Sequence, residues 1–418
     1  MGRREETHER RTALAAAWAD LPPALRLPTQ FLGRHYAGCG ATIGAMPRCD
    51  FSCRACYLGP DANSARPLAS SDVKAQMRAL RAWLGPGGNL QLTDGEITLR
   101  QEAELIDLIA YARSIDLVPM LMTHGETFRR RPGLLERLVR EGGLSEVCFH
   151  VDSTMQGRRD AYAQARNERA LMGLRAEFGE LVRTVRRRTG QRLDAASTMT
   201  VTRDNLPEVP AVLRWFLANA DAFKMVSFQP LAKVGRSVPG LVGVTAEELW
   251  QRIAEGAGEP ALARGTGYLG HPGCSRFVQG MAVRRGGSVS LVPLYRQDDP
   301  AEMTLLDGLL TRVGGESLRL DSRLGVALRT ARMSLRHAGF LARRLVPYLV
   351  RLVRRAGTWR GRYFCVVSHH FMSADELTTP VGQARLASCS FRIALDGRLQ
   401  PMCAVNAQGL RDALYRGA

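Results

Sequence analysis

The chain has 418 residues, 45% of them hydrophobic, a formal net charge of +18 and a pI near 10.2, which is the composition of a folded protein with a large core. Its 9 cysteines are odd in number and are not spread as in a small secreted disulfide framework, so that class is excluded. The charge calls for a polyanionic partner, either nucleic acid or an anionic membrane.

The first residues, MGRREETHERR, lack the apolar stretch of about 7–15 residues that a signal peptide needs, which predicts a cytoplasmic protein. Residues 8–38 read as a helical and loop lead-in broken by Pro22 and Pro23. Strands are predicted at 41–46, 89–93, 117–123, 146–152, 196–202 and 224–229, with helices between them at 70–84, 100–114 and 131–141. Strands that alternate with helices imply parallel βαβ units, arranged as an open barrel or a doubly wound sheet. After Pro230 the rhythm changes, which places a boundary near 235 and gives three regions: 1–38, 39–235 and 236–418. Thr245 and Glu248 predict a capping box, 288–295 a strand, and ALDGRLQ a hairpin with an Asp-Gly turn.

Cys49, Cys53 and Cys56 lie within eight positions, in CDFSCRACY. Three thiolates in one loop can hold three irons of a [4Fe–4S] cube and leave the fourth open to a small molecule, unlike a closed four-cysteine cluster. The alternatives are a zinc site or an ordinary iron–sulfur site, but zinc usually pairs one Cys-x2-Cys with a second, and no second pair exists. The next strand ends in QLTDGEITLR. A cysteine loop of this spacing after a first strand, followed by such a turn, resembles the radical S-adenosylmethionine superfamily.

The resemblance implies an α/β fold, a partial (β/α)6 TIM-type barrel with a C-terminal α+β extension. Cys49, Cys53 and Cys56 would carry the cluster, and S-adenosyl-L-methionine would bind its open iron by the amino and carboxylate groups. Glu96 would accept hydrogen bonds from that amine and Gly95 would let the backbone approach, while Asp94 stands where the family usually has its first glycine. Asp152 and Ser153 end the fourth strand, near the expected ribose, and Gln229 in SFQP ends the sixth, near the adenine. Ala55 stands where many members carry an aromatic, which makes Tyr57 the candidate adenine contact. Each of these strand-end residues is also consistent with ordinary loop capping.

Longer stretches resemble the tetraether lipid synthase group: QLTDGEITLR, VSFQPLAKVGR, HPGC, HHFMSADEL and CSFRIALDGRLQPMCAVN, over roughly 40–415. Members of that group also carry a cysteine-rich segment before the barrel, where this chain has only Cys39. By that resemblance Cys274, Cys389 and Cys403 would hold a second cluster, with Cys365 or His271 as fourth ligand or with an open iron. From the residues alone each is equally a small buried hydrophobe, the reading preferred for Cys148 in EVCFHV. Of the adjacent His369 and His370, one is expected to be structural and the other near the substrate. An electron donor such as ferredoxin or flavodoxin is implied.

Between Asp321 and Asp375 the chain holds eleven arginines and no acidic residue or lysine. As a helix, 340–355 would set Leu341, Leu345, Leu349 and Leu352 on one stripe and Arg344, Arg351 and Arg355 on another, divided or kinked at Pro347. Arg343 and Arg344 rule out a transmembrane span, and sparse aromatics argue against nucleic acid. A basic amphipathic helix fits an anionic membrane surface, and a peripheral position there is expected. Together with the resemblance this favours a lipid substrate, from which hydrogen is abstracted to form a carbon–carbon bond or insert a carbon unit. The alternatives are a peptide- or small-metabolite-modifying radical enzyme, and an iron–sulfur protein that binds membrane or RNA without turnover.

Overall fold

The computed structural model describes residues 3–321, 323–358 and 360–417. The first strand, β1, is short, Cys39–Ala41, and is followed by β2 (Gly88–Leu92), β3 (Leu117–Thr123), β4 (Glu146–His150), β5 (Asp194–Val201) and β6 (Phe223–Pro230). Each pairs in parallel with the next. The order never reverses, so no switch point of a doubly wound sheet forms; the sheet curls instead into a partial TIM-type barrel. Helices cover its outer face. Ser70–Leu84 buries Val73, Met77, Leu80 and Leu84, a helical repeat that fills the space beside β2. In β4 four of five residues are buried, as a strand covered on both faces requires.

The later strands are β7 (Gly267–Tyr268), β8 (Ser275–Arg285), β9 (Ser288–Pro293), β10 (Arg362–His369), β11 (Phe391–Leu395) and β12 (Arg398–Pro401). They join both edges of the barrel. β11 pairs in parallel with β1, and β10 in parallel with β6, giving the order β12-β11-β1-β2-β3-β4-β5-β6-β10-β8-β7 with β9 on β8. The hairpin β11–β12 turns through Asp396 and Gly397, both at positive φ (49° and 71°), the geometry an Asp-Gly turn favours. The capping box forms at Thr245 and Glu248. The expected strand at 41–46 begins earlier instead, because the chain turns away at Gly44 (φ +74°) toward the cysteine loop.

The arginine-rich stretch forms helices Arg323–Arg336 and Val346–Ala356. A π-helical turn, Leu341–Leu345, precedes Pro347, where the proline lacks an N–H to donate. Among the described residues no helix is long and apolar enough to cross a membrane.

Candidate active site

The C-terminal ends of the parallel strands open onto a cavity of about 180 Å³. Cys49, Cys53 and Cys56 line it, all as free thiols, together with Tyr57, Glu96 and Gln229. The cysteines are held by the chain that returns after β6. Arg236 Nε donates to Cys56 Sγ at 3.3 Å, and its backbone N–H to Leu58 O at 2.9 Å. Gly235 (φ +58°) has no room for a side chain, because a Cβ would stand 2.4 Å from the Tyr57 carbonyl. Burial, then the neighbouring Cys56, Asp152 and Cys49, push the Cys53 thiol up, as expected of negative groups crowded together. Burial opposes the charge of Arg236, but Cys56, Cys49 and Cys53 raise its pKa.

The Asp94–Glu96 turn faces this loop. Gly95 is seated so closely that a Cβ would lie 2.3 Å from both Pro47 O and Arg48 O, and its N–H donates to Met46 O at 2.8 Å. Glu96 is buried with both oxygens held: Oε1 accepts from the Thr98 and Thr123 hydroxyls at 2.6 Å each, and Oε2 from the His124 N–H at 2.9 Å. Such donors hold the carboxyl group in one place. His124 Nδ1 accepts from Glu126 N at 3.1 Å, so its proton sits on Nε2, aimed at Asp50 at 2.8 Å. The ring stacks on Phe51 at 3.9 Å. Cys49, Asp50 and His124 present donor atoms within 4.8 Å of one another.

Asp94, with φ +152°, adopts a glycine-like backbone, and the physical reason is a clamp. Its fully buried carboxylate pairs with Arg411 and accepts from the Tyr415 hydroxyl at 2.5 Å and the Gly44 N–H at 2.5 Å. Arg411 and Tyr415 come from the helix Leu410–Gly417. Burial pushes the Asp94 carboxyl up, against the pull of Arg411 and Tyr415. Tyr57 donates to the Asp94 carbonyl, and the Arg411 guanidinium lies 4.8 Å over the Tyr57 ring.

Asp152 and Ser153 stand behind the cavity wall. Asp152 accepts from Thr154 N and Thr200 N, each at 2.8 Å, and contacts His150 Nε2 at 2.7 Å. Burial disfavours its charge, but His150 and Thr154 hold it well below the usual carboxylate range. His150 and Thr200, not Asp152, face the cavity at this edge. Ser153 donates its backbone N–H to Glu168 at 2.8 Å, and its hydroxyl accepts from Asn205.

Cys274, Cys389 and Cys403, from three separate segments, line a second, small cavity of about 30 Å³. Arg385 Nε donates to Cys274 Sγ at 3.1 Å, and Cys403 Sγ accepts from Met372 N at 3.4 Å. Burial pushes all three thiols up, Cys403 to about 12. Neither His271 nor Cys365 lines this cavity, whereas His369 and His370 both do. Cys148 is buried beside Thr198 as a packing residue.

Sequence reasoning missed Arg411, Tyr415, His124 and His150. Asp94 and Arg411 are far apart in the chain, and no pattern links them. His124 in THGE, just past the end of β3, and His150 at the end of β4 were visible as polar residues at strand ends, where barrel sites are built.

No family model matches the chain. It is 25% identical over 199 residues to the 7,8-dihydro-6-hydroxymethylpterin dimethyltransferase of Methanocaldococcus jannaschii, a match covering 47% of this chain and 37% of that protein. The chain thus spans little more than a third of that relative's length. Among solved structures it matches Streptococcus suis SuiB bound to S-adenosylmethionine at 12% identity and a TM-score of 0.36, over 51% of this chain and 45% of that one. A second structure of Streptococcus suis SuiB matches at 12% identity and a TM-score of 0.35, over 51% of this chain and 44% of that one.

Proposed function

We propose that this chain is a radical S-adenosylmethionine enzyme acting on a lipid chain. The observation that carries the radical chemistry is the convergence of Cys49, Cys53, Cys56, the Gly95–Glu96 turn and Gln229 on one cavity at the strand ends. The donor set fits the cofactor: three free thiols on one loop, with one arginine N–H aimed at a sulfur and no fourth cysteine lining that cavity. Cys49, Cys53 and Cys56 would hold a [4Fe–4S] cluster, which supplies the electron that cleaves S-adenosylmethionine to a 5′-deoxyadenosyl radical. Glu96, held in place by Thr98, Thr123 and His124, is positioned to receive the methionine amine. Tyr57, His150 and Gln229 shape the space for the nucleoside, while Asp152 acts through His150, with Ser153 behind it. Cys274, Cys389 and Cys403 would hold a second cluster, with reduced ferredoxin or flavodoxin as electron donor.

Part of the cavity wall is apolar, built from Met122, Met155, Leu231, Phe371, Phe391 and Met402, beside polar residues such as Gln91, Thr198 and Asn406. That apolar portion suits a hydrocarbon and supports hydrogen abstraction from a lipid chain, followed by carbon–carbon bond formation or insertion of a carbon unit. The similarity to a pterin dimethyltransferase favours a second reading, modification of a small metabolite. Two measurements decide. Anaerobically reconstituted protein should produce 5′-deoxyadenosine and a Cys49/Cys53/Cys56→Ala variant should not; production by the variant would sink the radical reading, and none by the wild type would leave a non-catalytic iron–sulfur protein. Mass spectrometry of lipids from cells with and without the protein should reveal a changed lipid; unchanged lipids with an altered small metabolite would promote the second reading.

A further inference from the structure

The helical segment Arg323–Ala356 is attached to the barrel by one face. Tyr348, Leu352 and Ala356 are buried against Val283, Val292 and Leu305. Two of its arginines are committed to internal pairs: Arg355 with Glu302 at 2.7 Å, and Arg329 with Glu316 at 2.9 Å and Asp321 at 3.1 Å. The sequence-based arginine stripe therefore loses Arg355, and the leucine stripe divides: Leu352 points inward and Leu349 outward.

The outward face combines exposed cations with exposed apolar side chains, the latter unfavourable in water. Arg332, Arg336, Arg343, Arg344, Arg351 and Arg354 are exposed. Between them stand Leu335, 78% exposed, Val346, 55%, Val350, 47%, and Leu349, 44%. Val346, Leu349, Val350 and Val353 repeat at helical spacing, so they form one outer stripe, opposite Tyr348 and Leu352. We propose that this face docks on an anionic lipid bilayer, with the leucines and valines entering the headgroup boundary and the arginines meeting lipid phosphates.

Charge complementarity selects that occupant. With no acidic residue between Asp321 and Asp375, a second copy of this face would bring arginine against arginine. A nucleic acid would leave the exposed leucines and valines without a partner, and the aromatic residues of the segment are turned inward: Tyr348 is buried and Phe340 packs beneath Arg312, whose guanidinium is 4.2 Å from the ring. The face lies outside the strand-end cavity, so the inference stands or falls independently of the chemistry there.

Full-length protein is floated with phosphatidylcholine vesicles with and without phosphatidylglycerol. It should bind only the anionic vesicles and release as salt rises from about 0.1 to about 1 M, where the screening length falls from about 10 to about 3 Å. Arg343→Glu/Arg344→Glu/Arg351→Glu/Arg354→Glu should weaken binding at least about tenfold. The four lysine substitutions should retain it, and Leu349→Ser/Val350→Ser should weaken it without changing its salt dependence. Should the glutamate variant fail to fold, the lysine and serine variants still decide. Wild-type protein that ignores anionic vesicles at low salt, or folded glutamate and serine variants that bind as it does, would overturn the proposal. So would preferential capture by RNA or by an acidic protein in the same assay.

Discussion

Replacing Arg411 by methionine removes the cation that faces Asp94 and leaves a carboxylate buried with only two neutral donors, the Tyr415 hydroxyl and the Gly44 N–H. Breaking a buried pair from one side costs about 3–5 kcal/mol, because the remaining charge has no water to return to. Asp94→Gly also strands a charge, but it frees a non-glycine residue from φ +152°, a strain of about 1–3 kcal/mol, so its net cost is smaller. The double variant strands nothing and should cost less than Arg411→Met alone, a coupling of at least about 2 kcal/mol. Urea midpoints for the four proteins, with matching slopes, measure it. Costs that add to within about 0.5 kcal/mol would show that the two residues do not act as a pair and would refute the clamp. Calorimetric titration with S-adenosylmethionine gives a second readout, since the turn that Arg411 braces carries Gly95 and Glu96.

Gly95→Ala sets a methyl 2.3 Å from two carbonyl oxygens and should displace the turn, weakening S-adenosylmethionine binding about tenfold or more; unchanged affinity by calorimetry would contradict this seating. His35 is kept neutral by burial and by Arg10, which lower its pKa from 6.5 to about 4. The unfolded chain therefore takes up a proton first, so stability should fall as pH drops from 6.5 toward 4, and His35→Gln should flatten that slope; parallel slopes in pH-dependent melts would count against it. Arg175 is 1% exposed and pairs with Glu168 at 2.5 Å, so Arg175→Met should cost about 3–5 kcal/mol, and an unshifted melting temperature would reject that pair as a support of the loop after β4.

Five of the six barrel strands were legible at their positions, and the first only roughly, because each is a short apolar run set by local chemistry. The helix 70–84 appears at the bounds its periodicity predicted. The cysteine loop and the Gly95 turn were legible for the same reason, since spacing within a few residues carries the signal. What escaped was long-range. β10 reads as an ordinary apolar run, and only the assembled sheet places it between β6 and β8. Asp152 was legible as a strand-end carboxylate, but not its rotation away from the cavity, which His150 and Thr200 decide. Arg355 looked like its neighbours until Glu302, on a different helix, claimed it.

The pairing of β1 with β11 fixes an order of events during synthesis. Cys39 lies beside Phe391, so one edge of the first strand stays bare until nearly the whole chain has been made. Contacts this remote form slowly, since a very long loop must close before they are rewarded. Throughout that interval the thiols of Cys49, Cys53 and Cys56 stand in a half-built wall, without Arg236 for part of it and without Tyr415 for all of it. Thiol labelling of ribosome-stalled chains should find them reactive up to the last hairpin and protected after it, and protection in a chain stopped at β6 would argue otherwise. A nascent protein of this topology is thus most open to oxidation and to premature metal capture while it is still being translated.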